Sequence, residues 1–422
     1  MSFLIIFRLL LFIVFLLIID ILTYYSLGSF VKEWKNRKKK RFIKKLPWIV
    51  SALFLVFAAI YLISVRNISL DYIKSRHFFN IFGVLFIILF LKMTMILFKV
   101  KDKIFFFFIF IICKFVFRKK TFDFKLIGRK VSNFFFIIGT ITALLFLLLL
   151  SYGMKWGKYD FEIEKHEISF KNLPKSFDGL KIVQISDTHL GSFPDTSYLT
   201  KAINLINAQN ADIIFFTGDL VNNQAIEAND YISMFKCLKA KYGKYAILGN
   251  HDMGDYRRWY TEADKLNNYF DIVKANQLMG FKMLLDTACY LKINNDSIAI
   301  VGVRNWSLPP FKKYGNLKRA MNGVPNSIFK ILLSHNPSHW DREVQGKTNI
   351  DLTLSGHTHG MQIGFYNKYF RWSPIQYMYP HWGGLYKEGE QYLYVNKGLG
   401  FLGLPIRLGI KPEITVIVLK SL

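Results

Sequence analysis

The chain has 422 residues, more than one ordinary domain needs, and is 52% hydrophobic and 17% aromatic with 41 Phe. Its formal net charge is +27, of which residues 1–153 supply 24 Lys and Arg against 5 Asp and Glu, and residues 154–422 supply 32 against 24. So basic a balance would suit nucleic acid, but most of the excess flanks long apolar runs, the pattern of charged ends on membrane spans, and no nucleic-acid partner is expected.

Four apolar runs reach the ~20 residues needed to cross a bilayer: 3–27, 46–65, 78–98 and 134–152. The first lacks a basic start and a small-residue cleavage site, so it reads as a retained span rather than a signal peptide. Arg8 and Asp20 within it are expected near the two membrane interfaces. A fifth run, "IFFFFIFIICKFVF" (104–117), carries Lys114 and lies between two basic loops, so it is expected as a separate interfacial, amphipathic segment. The basic loop "KEWKNRKKKRFIKK" should stay cytoplasmic. Four crossings then put residues 154–422 outside the cytoplasmic (inner) membrane, with residues 1–153 as a multi-pass anchor in contact with membrane lipid. Three cysteines give no disulfide framework; a Cys237–Cys289 bridge is allowed but not indicated.

Beyond residue 158 the pattern changes to short, β-rich runs: 180–186, 212–218, 244–249, 297–303, 329–334, 350–355, 391–395 and 413–419. Several are almost wholly apolar, as strands covered on both faces are. Helical spacing over 198–209 and 225–241 separates the first three, and "YLKINNDSIAIV" reads as a hairpin turning at Asn294–Asn295. This alternation predicts a layered α/β domain following a helical membrane region.

The chemistry-bearing residues come just after these strands. "QISDTHLG" supplies Asp187 and His189, and "FFTGDLVN" supplies Asp219. "AILGNHD" supplies Asn250, His251 and Asp252. "LLSHNP" supplies His335, and "LSGHTHG" supplies His357 and His359. Singly, each motif has an ordinary explanation as a cap, a turn or a hydrogen-bonded core polar group. Five strand ends delivering carboxylate, imidazole and amide to one edge point instead to a metal site, since ligands gather at the carboxyl ends of strands.

In this order, D-x-H, G-D-x-x-N, G-N-H-D, H and G-H-x-H, the motifs resemble the calcineurin-like metallophosphoesterase superfamily. The later "LYVNKGLGFLGLPIRLGIKPEITVIVL" resembles its membrane-anchored bacterial branch. The resemblance implies a four-layer α/β/β/α sandwich and two divalent ions, Mn, Fe or Zn, suited to mixed N and O donors. It implies Asp187, His189 and His359 on one metal, Asn250, His335 and His357 on the other, and Asp219 bridging both. A hydroxide shared by the metals would attack the phosphoryl group in line. His251 would act as general acid to the leaving oxygen, with Asp252 orienting its imidazole and raising its pKa. Asn222 stands where the family's second motif more often has Asp. Arg304, in "VGVRN", is a candidate contact for substrate phosphate, and the aromatic stretch 369–386 is a candidate apolar entrance.

The expected activity is therefore hydrolysis of a phosphoester or pyrophosphate, on a phosphorylated small molecule or a lipid-linked substrate. Two alternatives come from other classes. One is a non-catalytic, metal-containing module that binds a cell-envelope polymer, and the other is a transporter or sensor regulated by its outer domain. All seven ligand positions and His251 are filled, against the first, and few ionisable residues interrupt the apolar runs, against the second.

Overall fold

The structure is a computed structural model that describes residues 3–64, 71–116 and 123–422. It contains two compact units: one is Gly153–Leu422 together with Leu70–Arg76, and the other is the rest of the chain before Gly153.

The first unit contains α1 (Phe3–Phe30), α2 (Arg37–Ser64) and most of α3 (Asp71–Ile111) and α4 (Phe124–Lys155). All four are long and apolar enough to cross a membrane. Helices α3 and α4 are antiparallel: Phe90 meets Phe146, Phe105 meets Phe135 and Phe110 meets Phe124, with ring centroids 4.8, 5.7 and 5.2 Å apart. Helix α1 runs parallel to α3, with Asp20 against Lys92 and Phe30 under Lys99. Lys44 of α2 lies over Tyr24 of α1, so these two are antiparallel. The α1–α2 turn, the end of α3 and the start of α4 therefore share one end of the bundle. That end carries the lysines and arginines of 32–45, 99–103 and 125–130.

Asp20 is buried and ion-paired with Lys92, whose Nζ also donates to Ser51 Oγ at 2.6 Å, so one buried charge pair joins α1, α2 and α3. One expectation for this unit is corrected: 104–117 is not a separate segment. Its described part continues α3 through Ile111 and a π-helical turn, Ile112–Val116. No Gly or Pro interrupts 99–111, and Lys99 pairs with Asp102 one turn on, so nothing stops the helix. At 41 residues α3 is about 60 Å long, twice the hydrocarbon thickness.

The second unit contains fourteen strands. In chain order they begin β1 (Glu162–Phe170), β2 (Lys181–Ile185), β3 (Ile213–Phe216), β4 (Lys244–Ala246) and β5 (Phe281–Met283). Next come β6 (Thr287–Ile293), β7 (Asp296–Gly302), β8 (Lys330–Leu333) and β9 (Leu352–Ser355). The last five are β10 (Phe365–Tyr366), β11 (Arg371–Trp372), β12 (Gly384–Glu388), β13 (Gln391–Val395) and β14 (Glu413–Ser421). One six-stranded sheet has the order β1-β14-β2-β3-β4-β5 and the other β12-β13-β9-β8-β7-β6. Strands β2 to β5 are parallel, as are β13, β9, β8 and β7.

Alternation along the strands sorts the apolar side chains into layers. Ile182, Phe215 and Ile247 of the first sheet meet Ile300, Ile331 and Leu354 of the second in a core between the sheets. Val183, Ile214 and Phe216 face the opposite way, toward α5 (Ser197–Asn207), α6 (Ile232–Lys236) and α7 (Glu262–Leu278). On the outer face of the second sheet, Val301 and Leu332 pack with Trp340, Val344 and the short α8 (Leu317–Ala320). The result is the expected helix–sheet–sheet–helix sandwich.

The helix expected over 225–241 is shorter than its spacing suggested. A 3₁₀ stretch, Ala225–Tyr231, leads into the five-residue α6. Asn207 then takes the chain out of the helix, donating to the Cys237 carbonyl (3.0 Å) and accepting from the Lys239 N–H (2.9 Å). Cys237 and Cys289 are both free thiols.

One buried charge locks β13 to β14 and β1. The fully buried Lys397 ammonium lies 2.9 Å from Glu413, 3.1 Å from Glu162 and 3.4 Å from Glu164, and 3.5 Å above the Tyr366 ring. Burial alone would raise Glu413, yet Lys397 holds its carboxyl below the ordinary value, while the carboxylates hold Lys397 above its own despite burial. The Glu413 contribution is thus present above the unfolded carboxylate pKa and lost as pH falls through its depressed value; that of Lys397 is lost only as pH rises past its raised one. Removing one partner of such a group costs about 3–5 kcal/mol. At about 2–4 °C per kcal/mol for a domain of this size, Lys397→Met should lower the melting temperature of the α/β unit by about 6–20 °C. An unchanged thermal midpoint would show the group to be dispensable.

Candidate metal centre

Strands β2, β3 and β4 are neighbours in one sheet, and β8 and β9 in the other. Because these strands are parallel, their carboxyl ends lie side by side and release their loops at the same edge of each sheet. Asp187 and His189 follow β2, Asp219 follows β3, and Asn250 and His251 follow β4. His335 follows β8, and His357 and His359 follow β9. All seven expected ligand residues meet there.

The donor atoms form two overlapping groups. In one, the Nε2 atoms of His189 and His359 are 3.1 Å apart, and His359 Nε2 is 3.4 Å from Asp187 Oδ1. In the other, Asn250 Oδ1 lies 3.0 Å from His335 Nε2 and 2.8 Å from His357 Nδ1. Asp219 Oδ2 stands between them, 3.2 Å from His335 Nε2 and 3.6 Å from His189 Nε2. Asp187, His189 and His359, and likewise Asp219, His335 and His357, each present ligand atoms within 4.8 Å of one another.

Surrounding groups aim these donors. His335 Nδ1–H donates to the Thr217 carbonyl at 2.8 Å, which leaves Nε2 facing the centre. The Asn250 amide nitrogen donates to the Tyr256 hydroxyl at 2.9 Å, which turns Oδ1 inward. His357 Nε2 is 2.9 Å from the Tyr379 hydroxyl, which leaves Nδ1 inward. Two glycines make room: a Cβ on Gly249 would lie 2.1 Å from Asp219 Oδ1, and one on Gly356 would lie 2.2 Å from Asp187 Oδ2. Neither glycine can be replaced without displacing a carboxylate.

Burial pushes His189 and His357 down to about 3 and His359 well below its ordinary value, so all three are neutral with lone pairs available. Burial also pushes Asp187 up to about 6. Asp219 would rise for the same reason, but His335 and His251 beside it hold it well below the usual carboxylate range. Burial disfavours a charged His335, yet Asp219 and Asp187 raise it to about 9. At neutral pH two carboxylates thus face one imidazolium, a net negative charge in a buried space. Lone pairs aimed at one another, an uncompensated negative charge and a His335 proton that a cation would displace all fit divalent metal. Nitrogen and oxygen donors without thiolate suit Mn, Fe or Zn.

Two expected site residues behave differently. His251 is at the centre, with its N–H donating to Asp219 Oδ1 at 2.9 Å, but Asp252 does not orient its ring. The ring instead donates from Nδ1 to the Asn222 carbonyl at 2.8 Å and stacks on Tyr256, centroids 4.4 Å apart. Asp252 accepts from the backbone N–H groups of Asp219 (2.8 Å), Leu220 (2.9 Å) and Gly249 (3.0 Å), and so ties the loop after β3 to the loop after β4. A carboxylate next in sequence to a histidine points to the other side of the turn. Arg304 is not poised for phosphate: its guanidinium is held by Asp286, with Nε at 2.9 Å and a terminal nitrogen at 2.8 Å.

Sequence reasoning missed Tyr256 and Arg407. Tyr256 lies in no motif. Arg407, fully buried, donates to the carbonyls of Lys397 (2.8 Å), Gly398 (3.1 Å) and Gly400 (2.7 Å), with Nη2 3.2 Å from His359 Nδ1. Its signal was present in "GLPIRLG", within the stretch that carries the family resemblance.

Comparison with known proteins agrees with this geometry. Residues 180–361 match the family model described as calcineurin-like phosphoesterase, and residues 2–158 match one described as probable calcineurin-like phosphoesterase, transmembrane domain. The uncharacterized metallophosphoesterase YkuE of Bacillus subtilis is 34% identical over 267 residues, covering 62% of this chain and 86% of that protein. An uncharacterized metallophosphoesterase of Campylobacter jejuni is 28% identical over 399 residues, covering 87% of this chain and 99% of that protein. UDP-2,3-diacylglucosamine pyrophosphatase LpxG of Chlamydia trachomatis is 31% identical over 282 residues, covering 54% and 81%.

The Tyr379 hydroxyl supports His357 from outside, and losing such support typically weakens metal binding about 10–100-fold. Tyr379→Phe should show that loss for one bound ion when the purified chain is titrated with Mn²⁺ and followed by calorimetry. Unchanged affinity would remove Tyr379 from the support of His357.

Proposed function

Because the chain belongs to the membrane-associated calcineurin-like phosphoesterases, phosphoric ester hydrolases that use divalent metal ions, we propose that it cleaves a phosphoester or pyrophosphate where the loops of its two sheets meet. The observation that carries the proposal is the convergence of two carboxylates, four imidazoles and one amide oxygen on one buried point. In this reading Asp187, His189 and His359 would hold one ion, Asn250, His335 and His357 would hold a second, and both would share Asp219. Two such ions would supply a water of lowered pKa and a clamp on the phosphoryl oxygens.

The chain's own proton donor is His251. With Nδ1–H committed to the Asn222 carbonyl, the imidazolium form is the acid: it gives its Nε2 proton to the leaving oxygen and becomes neutral. The Tyr256 ring stacked on the imidazole, and the His251 N–H bonded to Asp219, hold the acid at a set distance from the shared carboxylate.

A substrate borne by membrane lipid is supported by two features. The chain carries four helices able to span a membrane, and its relative LpxG is named as a pyrophosphatase of UDP-2,3-diacylglucosamine. We further propose that the α/β unit is extracytoplasmic on the cytoplasmic membrane. The basic residues collect at the end of the bundle opposite to the C-terminus of α4, and such residues stay cytoplasmic.

His251→Ala should retain both metals but lose about 10²–10⁴-fold in rate, the usual worth of a positioned acid. The loss should be large for alkyl phosphates, whose alkoxide needs a proton, and smaller for a nitrophenyl ester, whose leaving group departs as a stable anion. Equal losses on both, or loss of a metal, would take His251 out of the acid role. A topology reporter at Gly153 should be active outside and one at Lys40 inside. A cytoplasmic signal at Gly153 would reverse the proposed orientation.

A further inference from the structure

Immediately after His359 the chain leaves the sandwich and exposes its apolar side chains. Between Met361 and Met378 six large ones face outward: Met361, Phe365, Tyr369, Phe370, Tyr377 and Met378, with Tyr369 91% and Tyr377 79% exposed. So dense a group on one short segment is an interaction surface rather than scattered surface apolarity.

The segment is rigid at its base. Gln362 donates to the Leu404 carbonyl and accepts from the Leu402 N–H, at 2.8 and 2.7 Å. Ser373 Oγ donates to the Gly360 carbonyl at 2.7 Å. Strands β10 and β11 pair through Phe365–Trp372 and Tyr366–Arg371. At their tip the Asn367 side chain accepts from the N–H groups of Tyr369 and Phe370, both at 2.9 Å, which fixes the turn. Little conformational freedom remains to be lost when something covers it.

Charge identifies the occupant. No Asp or Glu occurs from residue 352 to residue 387, while Lys368, Arg371 and Lys387 do. Aromatic rings and methionine interspersed with basic residues, without acids, are the composition of a bilayer interface. The same chain carries membrane spans, so a lipid surface is always at hand. Tyr379, which closes this segment, bonds His357, so a contact made here is one residue removed from the candidate centre.

We propose that residues 361–378 form a membrane-docking apron that seats on an anionic lipid surface and presents lipid-borne phosphate to the candidate centre. The docking stands on its own; the delivery of substrate rests on the hydrolase function proposed above.

The test uses the full chain in nanodiscs containing phosphatidylglycerol, with either ordinary or brominated acyl chains. The emission added by Tyr369→Trp over the wild-type chain should be mostly quenched by brominated lipid. Unquenched emission would overturn the docking, as would photocrosslinking from position 369 to a second copy of the chain or to a soluble protein. For delivery, turnover of dioleoyl phosphatidate in the disc is compared with that of water-soluble dihexanoyl phosphatidate, which has the same headgroup. The triple variant Tyr369→Ser, Phe370→Ser, Tyr377→Ser should lose about 10²-fold on the embedded ester, the scale on which local concentration acts, while hydrolysing the soluble one as before. Equal losses on both esters would overturn delivery. If the wild-type chain cleaves neither, the hydrolase function fails for lipid monoesters, and quenching alone decides the docking.

Discussion

The candidate centre depends on the chain turning left-handed where its strands end. Asp187, His189, Asp219, His357 and His359 all have positive φ, between 46° and 79°, although none is glycine. Each such residue costs about 1–3 kcal/mol and persists only where its surroundings over-determine it. Here they do. The Asp187 N–H donates to the Gly218 carbonyl at 2.8 Å and the His189 N–H to the Asp219 carbonyl at 3.1 Å. The His357 N–H donates to the Asp187 carboxylate at 3.0 Å. The loops after β2, β3 and β9 thus hold one another in conformations that none would adopt alone. A right-handed turn at any of them would direct its side chain away from the shared point.

Convergence brings an electrostatic difficulty that the surroundings only partly resolve. The buried carboxylates at the centre face His335, and no Lys or Arg is ion-paired to either among the described residues. The nearby cations, Arg407 and Lys397, are committed elsewhere: Arg407 to the carbonyls of the 397–400 loop and Lys397 to Glu413. Burial lowers Arg407 to about 10, still charged at neutral pH, so it adds to the burial that keeps His359 uncharged. The centre is therefore arranged to need positive charge from outside the chain, which is the condition a metal site must meet.

How far the sequence revealed this follows from the range of the forces involved. Strands buried on both faces read as apolar runs, and all eight expected runs contain strands. Strand β1 escaped because "EIEKHEISF" is largely polar and half-buried at the edge of its sheet. Helix α7 escaped because Asn268 and Asn276 occupy buried positions on it and blur its apolar stripe. The convergence of these side chains was legible because strand ends announce them in groups. What orients them was not: Tyr256, Tyr379 and the Thr217 carbonyl act across distances in sequence that no local motif records. The same limit explains Asp252, where adjacency suggested a partner for His251 and the turn placed the two side chains on different tasks.

Asn222 shows how backbone can relieve side chains of a role. Its position more often carries Asp in the family that the motifs resemble, and a lost carboxylate near a metal centre would ordinarily alter its charge. Here, among the described residues, the side chain bonds only Ser192, at 3.2–3.3 Å. What reaches the centre is the residue's carbonyl, which accepts from His251, and its N–H is fixed by Glu227 at 2.6 Å. Glu227 also binds the N–H groups of Asn223 and Gln224, at 3.0 and 2.9 Å, and so sets the whole turn. The orientation of His251 therefore follows from a carboxylate five residues further along that shapes the loop, rather than from the side chain at position 222. At position 222 it is the peptide carbonyl, not the side chain, that reaches His251.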